Sequence, residues 1–219
     1  MQLMNVNFLL SRFFKYTSPV IETFDKDNIF PAFVRIQEML LGMPDIELTV
    51  LQGLAYCFYE ILDNVLTHSG ESHGVVIMEY DADEKRIRVL VADEGMGVRA
   101  SLSRNTEYSG VSEEEALHLC INDKVTSGKG LGFGLYTTSR LINEAGTRLI
   151  IHSGNHFLCY ENGSAKVEDD GFWQGTIVFL ELISDMEINP NAVVDDRTDI
   201  IAQYNEQFLE GQDSFDKLW

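Results

Sequence analysis

The chain has 219 residues, 45% of them apolar, which supports one buried core with small extensions rather than two full domains. Its 16 basic and 35 acidic side chains leave a formal charge of −19, which repels phosphate backbones and anionic lipid, so nucleic acid and membrane surfaces are not expected partners. The apolar first ten residues lack a cationic start and a small-residue cleavage site, and no apolar run of about 18 residues occurs; the chain therefore reads as soluble and cytoplasmic.

In chain order, residues 8–14 are apolar enough to form an edge strand, a contact in a homodimer, or simply core. Residues 30–41 and 46–67 repeat apolar side chains every three or four positions, which predicts two helices separated by Gly42, Met43 and Pro44. Beyond Gly70 the period becomes two. Val75, Ile77 and Glu79 alternate with Val76, Met78 and Tyr80, and Ile87, Val89 and Val91 with Arg86, Arg88 and Leu90, predicting an antiparallel hairpin that turns near Asp83 and Glu84. Residues 98–127 carry polar clusters and one short helical candidate at 113–121, the pattern of a mobile connection.

A helix is predicted over 135–145, ended by Gly146, and strands over 148–153, 157–161 and 175–183, with Asn162-Gly163 as a hairpin turn. The segment 184–219 holds nine acidic and two basic residues. Within it Ile200, Ile201, Tyr204, Phe208 and Leu209 share one helical face, suited to packing back on the domain or to binding a partner. Cys57, Cys120 and Cys159 are odd in number and far apart, as expected of buried thiols rather than disulfides or a metal site. Trp173 and Trp219 read as packing residues.

Three motifs carry chemistry. Glu60 and Asn64 lie four residues apart on a predicted helix, so both can converge on one ligand, and His68 extends the stripe. An amide oxygen suits Mg²⁺ and a carboxylate one turn earlier can accept a proton, although the same spacing also builds ordinary solvated faces. Asp93, Gly95 and Gly97 follow at a strand end, where an acceptor-only carboxylate can take the amino group of a base and glycines let the backbone come close. An acidic turn has the same composition. The third motif is the most specific: Gly128, Lys129, Gly130, Leu131, Gly132, Phe133 and Gly134 place four glycines in strict alternation before a helix. Such a loop presents backbone N–H groups, and the helix start adds partial positive charge, so together they cradle phosphates. Neither a P-loop nor a dinucleotide-binding fingerprint fits these residues.

In order and rough spacing, these elements resemble the N, G1 and G2 boxes of the GHKL superfamily, the nucleotide fold of gyrase, the Hsp-ninety chaperones, histidine kinases and mismatch-repair ATPases. Gly175-Thr176 looks like the G-T pair of its last strand. The resemblance implies an α+β fold, a two-layer sandwich with a mixed, mostly antiparallel sheet covered by helices on one face. It implies ATP and Mg²⁺ as ligands: Asp93 on the adenine amino group with Thr176 in support, Asn64 on Mg²⁺, the glycines of the second loop and Lys129 over the phosphates, and residues 98–127 as a lid. Glu60 sits where the hydrolysing and serine-kinase branches keep a general base, and Asn64 with His68 is similar to the N-x-x-x-H of anti-sigma-factor serine kinases. A structural histidine is the other reading of His68.

The expected organisation is an N-terminal extension over 1–45, the nucleotide domain over 46–183 and an acidic tail over 184–219. No histidine occurs before residue 46, and some 36 residues follow Ile183, so neither a phosphoacceptor hairpin nor a transducer domain is expected, and DNA gating with it. What remains is a stand-alone ATPase or Ser/Thr kinase of signal transduction with a regulatory protein partner, a nucleotide-switched binding module exchanging ATP and ADP, or a histidine-kinase catalytic domain working in trans.

Overall fold

The computed structural model describes residues 4–15, 18–128, 134–189 and 192–193. The alternating hairpin of the sequence forms β2 (His73–Asp81) and β3 (Arg86–Asp93), closed by Lys85 at φ 53°. Both strands are apolar on both sides. Val76, Met78, Val89 and Val91 enter one core cluster, and Val75, Ile77, Leu90 and Ala92 another, because the sheet is covered on two faces. β1 (Val20–Asp25) pairs with β2 from Val20 opposite Met78 to Asp25 opposite His73. The other side of β3 holds β5 (Ser164–Ile183), which pairs in turn with β4 (Arg148–Glu161), giving the order β1-β2-β3-β5-β4 with each neighbouring pair antiparallel.

The strands predicted at 148–153 and 157–161 are one strand, and β5 begins at Ser164 rather than at residue 175. Two register shifts around Gly154 explain the misreading. Odd-numbered Leu149 and Ile151 face the core before them, whereas even-numbered Leu158 and Tyr160 do so afterwards, so the period of two breaks in mid-strand. Asn162 and Gly163, at φ 52° and 73°, close the hairpin as expected.

α2 (Ile29–Leu41), α3 (Leu48–His68) and α6 (Gly134–Ala145) cover one face, their buried stripes continuous with Val76, Val89, Leu149 and Leu180 of the sheet. This is the expected α+β sandwich, with the sheet antiparallel throughout rather than mixed and with a further helix, α1 (Val6–Phe13), on the face expected to be uncovered. The segment 98–127 is not a bare connection. It folds as α4 (Gly97–Leu102), a 3₁₀ turn at Thr106–Tyr108 and α5 (Glu113–Cys120), the last opened by a capping box between Ser112 and Glu115 and buried through Ala116, Leu117 and Cys120. Elements of six to eight residues are too short to display a period.

The N-terminal apolar run is core, and it is helical: α1 (Val6–Phe13) lies on the second face, with fully buried Leu9 and Phe14 packed among Val75, Ile77, Leu90, Trp173 and Phe179. The edge strand is residues 20–25 instead. Farther along that face Arg88, 3% exposed, meets Glu79, Glu84 and Glu181 at 2.5–2.9 Å, a buried cation compensated by several carboxylates. Cys57 and Cys120 are buried free thiols, and Cys159 is half-buried. No described helix is long and apolar enough to cross a membrane. The helical face predicted at 200–209 and Trp219 lie outside the described residues.

Candidate functional site

The helical spacing of Glu60, Asn64 and His68 puts all three on the wall of one cavity between α3, the end of β3, the facing stretch of β5, α4 and the start of α6. Asp93 enters from the last position of β3, and Thr176 is its cross-strand partner on β5. Gly97 and Gly134 complete the set of predicted residues on the wall. Gly134 opens α6 against the first motif: a Cβ built there would stand 3.0 Å from the Asn64 amide nitrogen and 3.2 Å from Glu60 Cβ. A glycine is therefore what lets the end of the glycine-rich loop meet the carboxylate and amide of α3.

Gly95 and Gly128 are not on the wall, and they differ. Gly95 works from behind: its N–H donates to Asp93 Oδ1 at 2.8 Å, and any side chain there would collide with the Ser69 carbonyl, which also accepts the Met96 N–H at 2.8 Å. Gly128 is exposed, at φ 90°, with open space around it. Lys129, Gly130, Leu131, Gly132 and Phe133 lie outside the described residues.

Burial dominates the electrostatics. Asp93 is 3% exposed, and desolvation pushes its carboxyl up to about 7 against the opposing N–H groups of Gly95 and Thr176. Burial, reinforced by the charge of Asp63, likewise raises Glu60 above the ordinary carboxylate range. Among the described residues no Lys or Arg lines the cavity. What the described residues offer an anionic ligand is backbone N–H groups and the start of α6.

The profile of the family described as histidine kinase-, DNA gyrase B-, and HSP90-like ATPase matches residues 49–182, a span that contains the whole cavity wall. The chain belongs to this family. No curated protein matches it. As a GHKL-type ATPase domain it has an ATP-binding fold.

Several residues that serve this ATPase domain carried no sequence signal. The Trp173 indole N–H donates to the Asp93 carbonyl at 3.0 Å, and the Gln174 amide to the Gly95 carbonyl at 2.5 Å, so β5 holds the turn that runs from Asp93 to Gly95. Trp173 packs, as expected, but it also serves as a donor. Ser153 joins α4 to β5 through its hydroxyl. Each of these contacts spans at least 22 residues, beyond any local pattern. His68 bonds to Ser127 at the end of the segment that follows α5.

Proposed function

We propose that this domain binds ATP with Mg²⁺ and turns it over, with Glu60 as the general base acting on water or on a Ser or Thr hydroxyl of a regulatory partner protein. The observation that carries the proposal is the convergence of Glu60, Asn64 and Gly134 at one end of a cavity whose other end is Asp93 with Thr176. In this reading Asp93 accepts from the adenine amino group, and Thr176 supports it through its hydroxyl. The loop from Gly128 to Gly134, with Lys129, folds over the phosphates. Asn64 holds Mg²⁺, whose charge offsets that of the phosphates when bound. The oxygen donor is of the right type, and the absence of a Cβ at Gly134 leaves room beside it.

Glu60 supports catalysis because its environment raises its affinity for a proton, which strengthens a carboxylate base. The combination of Glu60, Asn64 and His68 is what favours a serine-kinase activity of the anti-sigma type. The second reading is a regulatory module switched by nucleotide without turnover, and it is favoured by residues 98–127, which are folded onto the core and so available as a contact surface. Labelled ATP separates them. Glu60→Gln is expected to keep ATP uptake and to lose phosphate release and label transfer to protein; a wild-type protein that binds ATP but releases no phosphate and labels no partner would favour the switch.

A further inference from the structure

Ser153 lies on β4 at the first register shift, is 5% exposed, and does not line the nucleotide cavity. Its hydroxyl accepts the Val98 N–H at 2.9 Å and donates to the Gly175 carbonyl at 2.8 Å. These partners belong to two adjoining elements. Val98 is in the first turn of α4 and faces the cavity, whereas Gly175 precedes Thr176, the cross-strand partner of Asp93. The junction is packed to contact. Gly97 and Gly175 sit at φ 76° and 95°; a Cβ on Gly97 would come within 2.5 Å of Ser153 Oγ, and one on Gly175 would collide with the Asp93 carbonyl.

We propose that Ser153 is a positioning residue for base recognition, holding the Asp93–Thr176 pair at a fixed distance from the α4 wall. The inference rests on Asp93 being the acceptor of the adenine amino group. A hydroxyl is suited to the task because it donates and accepts at once. α4 has only six residues; the Met96 N–H to the Ser69 carbonyl ties its start to the end of α3, and Val98, buried in the apolar core, adds no direction towards β5. Without the hydroxyl a buried N–H and a buried carbonyl both lose a partner, and α4 is free to shift against β5. Hydrogen bonds weaken steeply with misalignment, so the contact to the base suffers before phosphate binding does.

The test compares ATP with inosine triphosphate, which carries a carbonyl where adenine has its amino group, by titration calorimetry with Mg²⁺. Wild-type protein is expected to prefer ATP. Ser153→Ala is expected to lower that preference by about tenfold, the size of one lost hydrogen bond to a charged group. Ser153→Cys fills the same space with a weak hydrogen-bonding sulfur and provides a second variant, expected to move in the same direction. Ile87→Val, in the core strand and away from the cavity, is expected to lower stability and leave the preference intact. A preference unchanged in both Ser153 variants, or lowered equally by Ile87→Val, overturns the proposal. Wild-type protein that takes up neither nucleotide overturns the ATP reading together with it, and discrimination that survives the loss of the hydroxyl overturns the role of Ser153 alone.

Discussion

His68 Nδ1 and Ser127 Oγ lie 2.9 Å apart in a hydrogen bond that spans 59 residues of sequence. It ties the last turn of α3 to the residue before Gly128. The segment between β3 and the glycine loop is therefore fastened at three places. Val98 is held to Ser153 at its start, and Glu113 accepts the Asn155 N–H at 3.1 Å and bonds the His156 ring at 2.9 Å in its middle. His68 holds its end, so exposed Gly128 follows a buried, hydrogen-bonded Ser127.

His68→Ala removes that fastening without touching Asp93. Nucleotide dissociation is expected to accelerate by roughly three- to tenfold, the range of one net hydrogen bond, while the preference for ATP over inosine triphosphate stays constant. Stopped-flow release of a fluorescent ATP analogue measures the first quantity. An unchanged release rate would reduce His68 to a packing residue.

Asp93 gives a pH signature. Its carboxyl titrates near 7 in the folded, nucleotide-free protein and near 3.8 when unfolded, so between these values the folded state binds the extra proton. Its contribution to stability is complete at the acid end and disappears as pH rises towards 7. Asp93→Asn abolishes that slope, visible in the difference between the two melting curves from pH 4 to 8. ATP affinity has the opposite sign, because the ionised carboxylate accepts from the amino group. Wild-type affinity is expected to rise up to about tenfold per unit as pH climbs towards 7, and the variant to bind roughly 10- to 100-fold more weakly with no such dependence. A pH-independent wild-type affinity would refute the assignment.

Elements long enough to show a period were legible in the sequence, as were motifs made of adjacent residues. α3 carries Glu60 and Asn64 on a helix of 21 residues, and the hairpin ends at Asp93 as its alternation requires. β1 was not legible, because Val20, Glu22 and Phe24 gain their meaning only from pairing with β2. The β4–β5 arm was hidden by the register shifts at Gly154 and by the run Glu168, Asp169 and Asp170, which reads locally as a turn and is strand here. Ser153, Trp173 and Gln174 escaped for another reason. Their roles arise where two remote walls meet, and single-sequence periodicity carries no information about that meeting.

Glu60 can be separated from the binding residues. Glu60→Gln keeps the size and polarity of the side chain and removes the base, so ATP hydrolysis or transfer is expected to fall by at least about 100-fold with ATP affinity nearly unchanged. Wild-type turnover should decline as pH falls through a value above the ordinary carboxylate range, since burial and Asp63 both oppose ionisation of Glu60. Asp63→Asn removes one of those two causes and should shift the acid limb of the profile to lower pH. A profile that does not move with Asp63 would point to a different group as the base.

The second face of the sheet depends on one short helix, and this makes a stability prediction that is independent of nucleotide. Leu9 is fully buried between α1 and Val75, Ile77 and Phe179, whereas Phe8, two-thirds shielded and stacked on Trp173 at 5.9 Å, lies at the rim of the same contact. Leu9→Ala empties a site that an eight-residue helix cannot readily collapse around, so a loss of about 2–4 kcal/mol is expected in urea unfolding, against less for Phe8→Ala. The folded fraction of Leu9→Ala should still discriminate ATP from inosine triphosphate, because the Trp173 donor to the Asp93 carbonyl remains in place. A loss under about 1 kcal/mol would mean that the β2, β3 and β5 side chains on this face are stable without their helical cover.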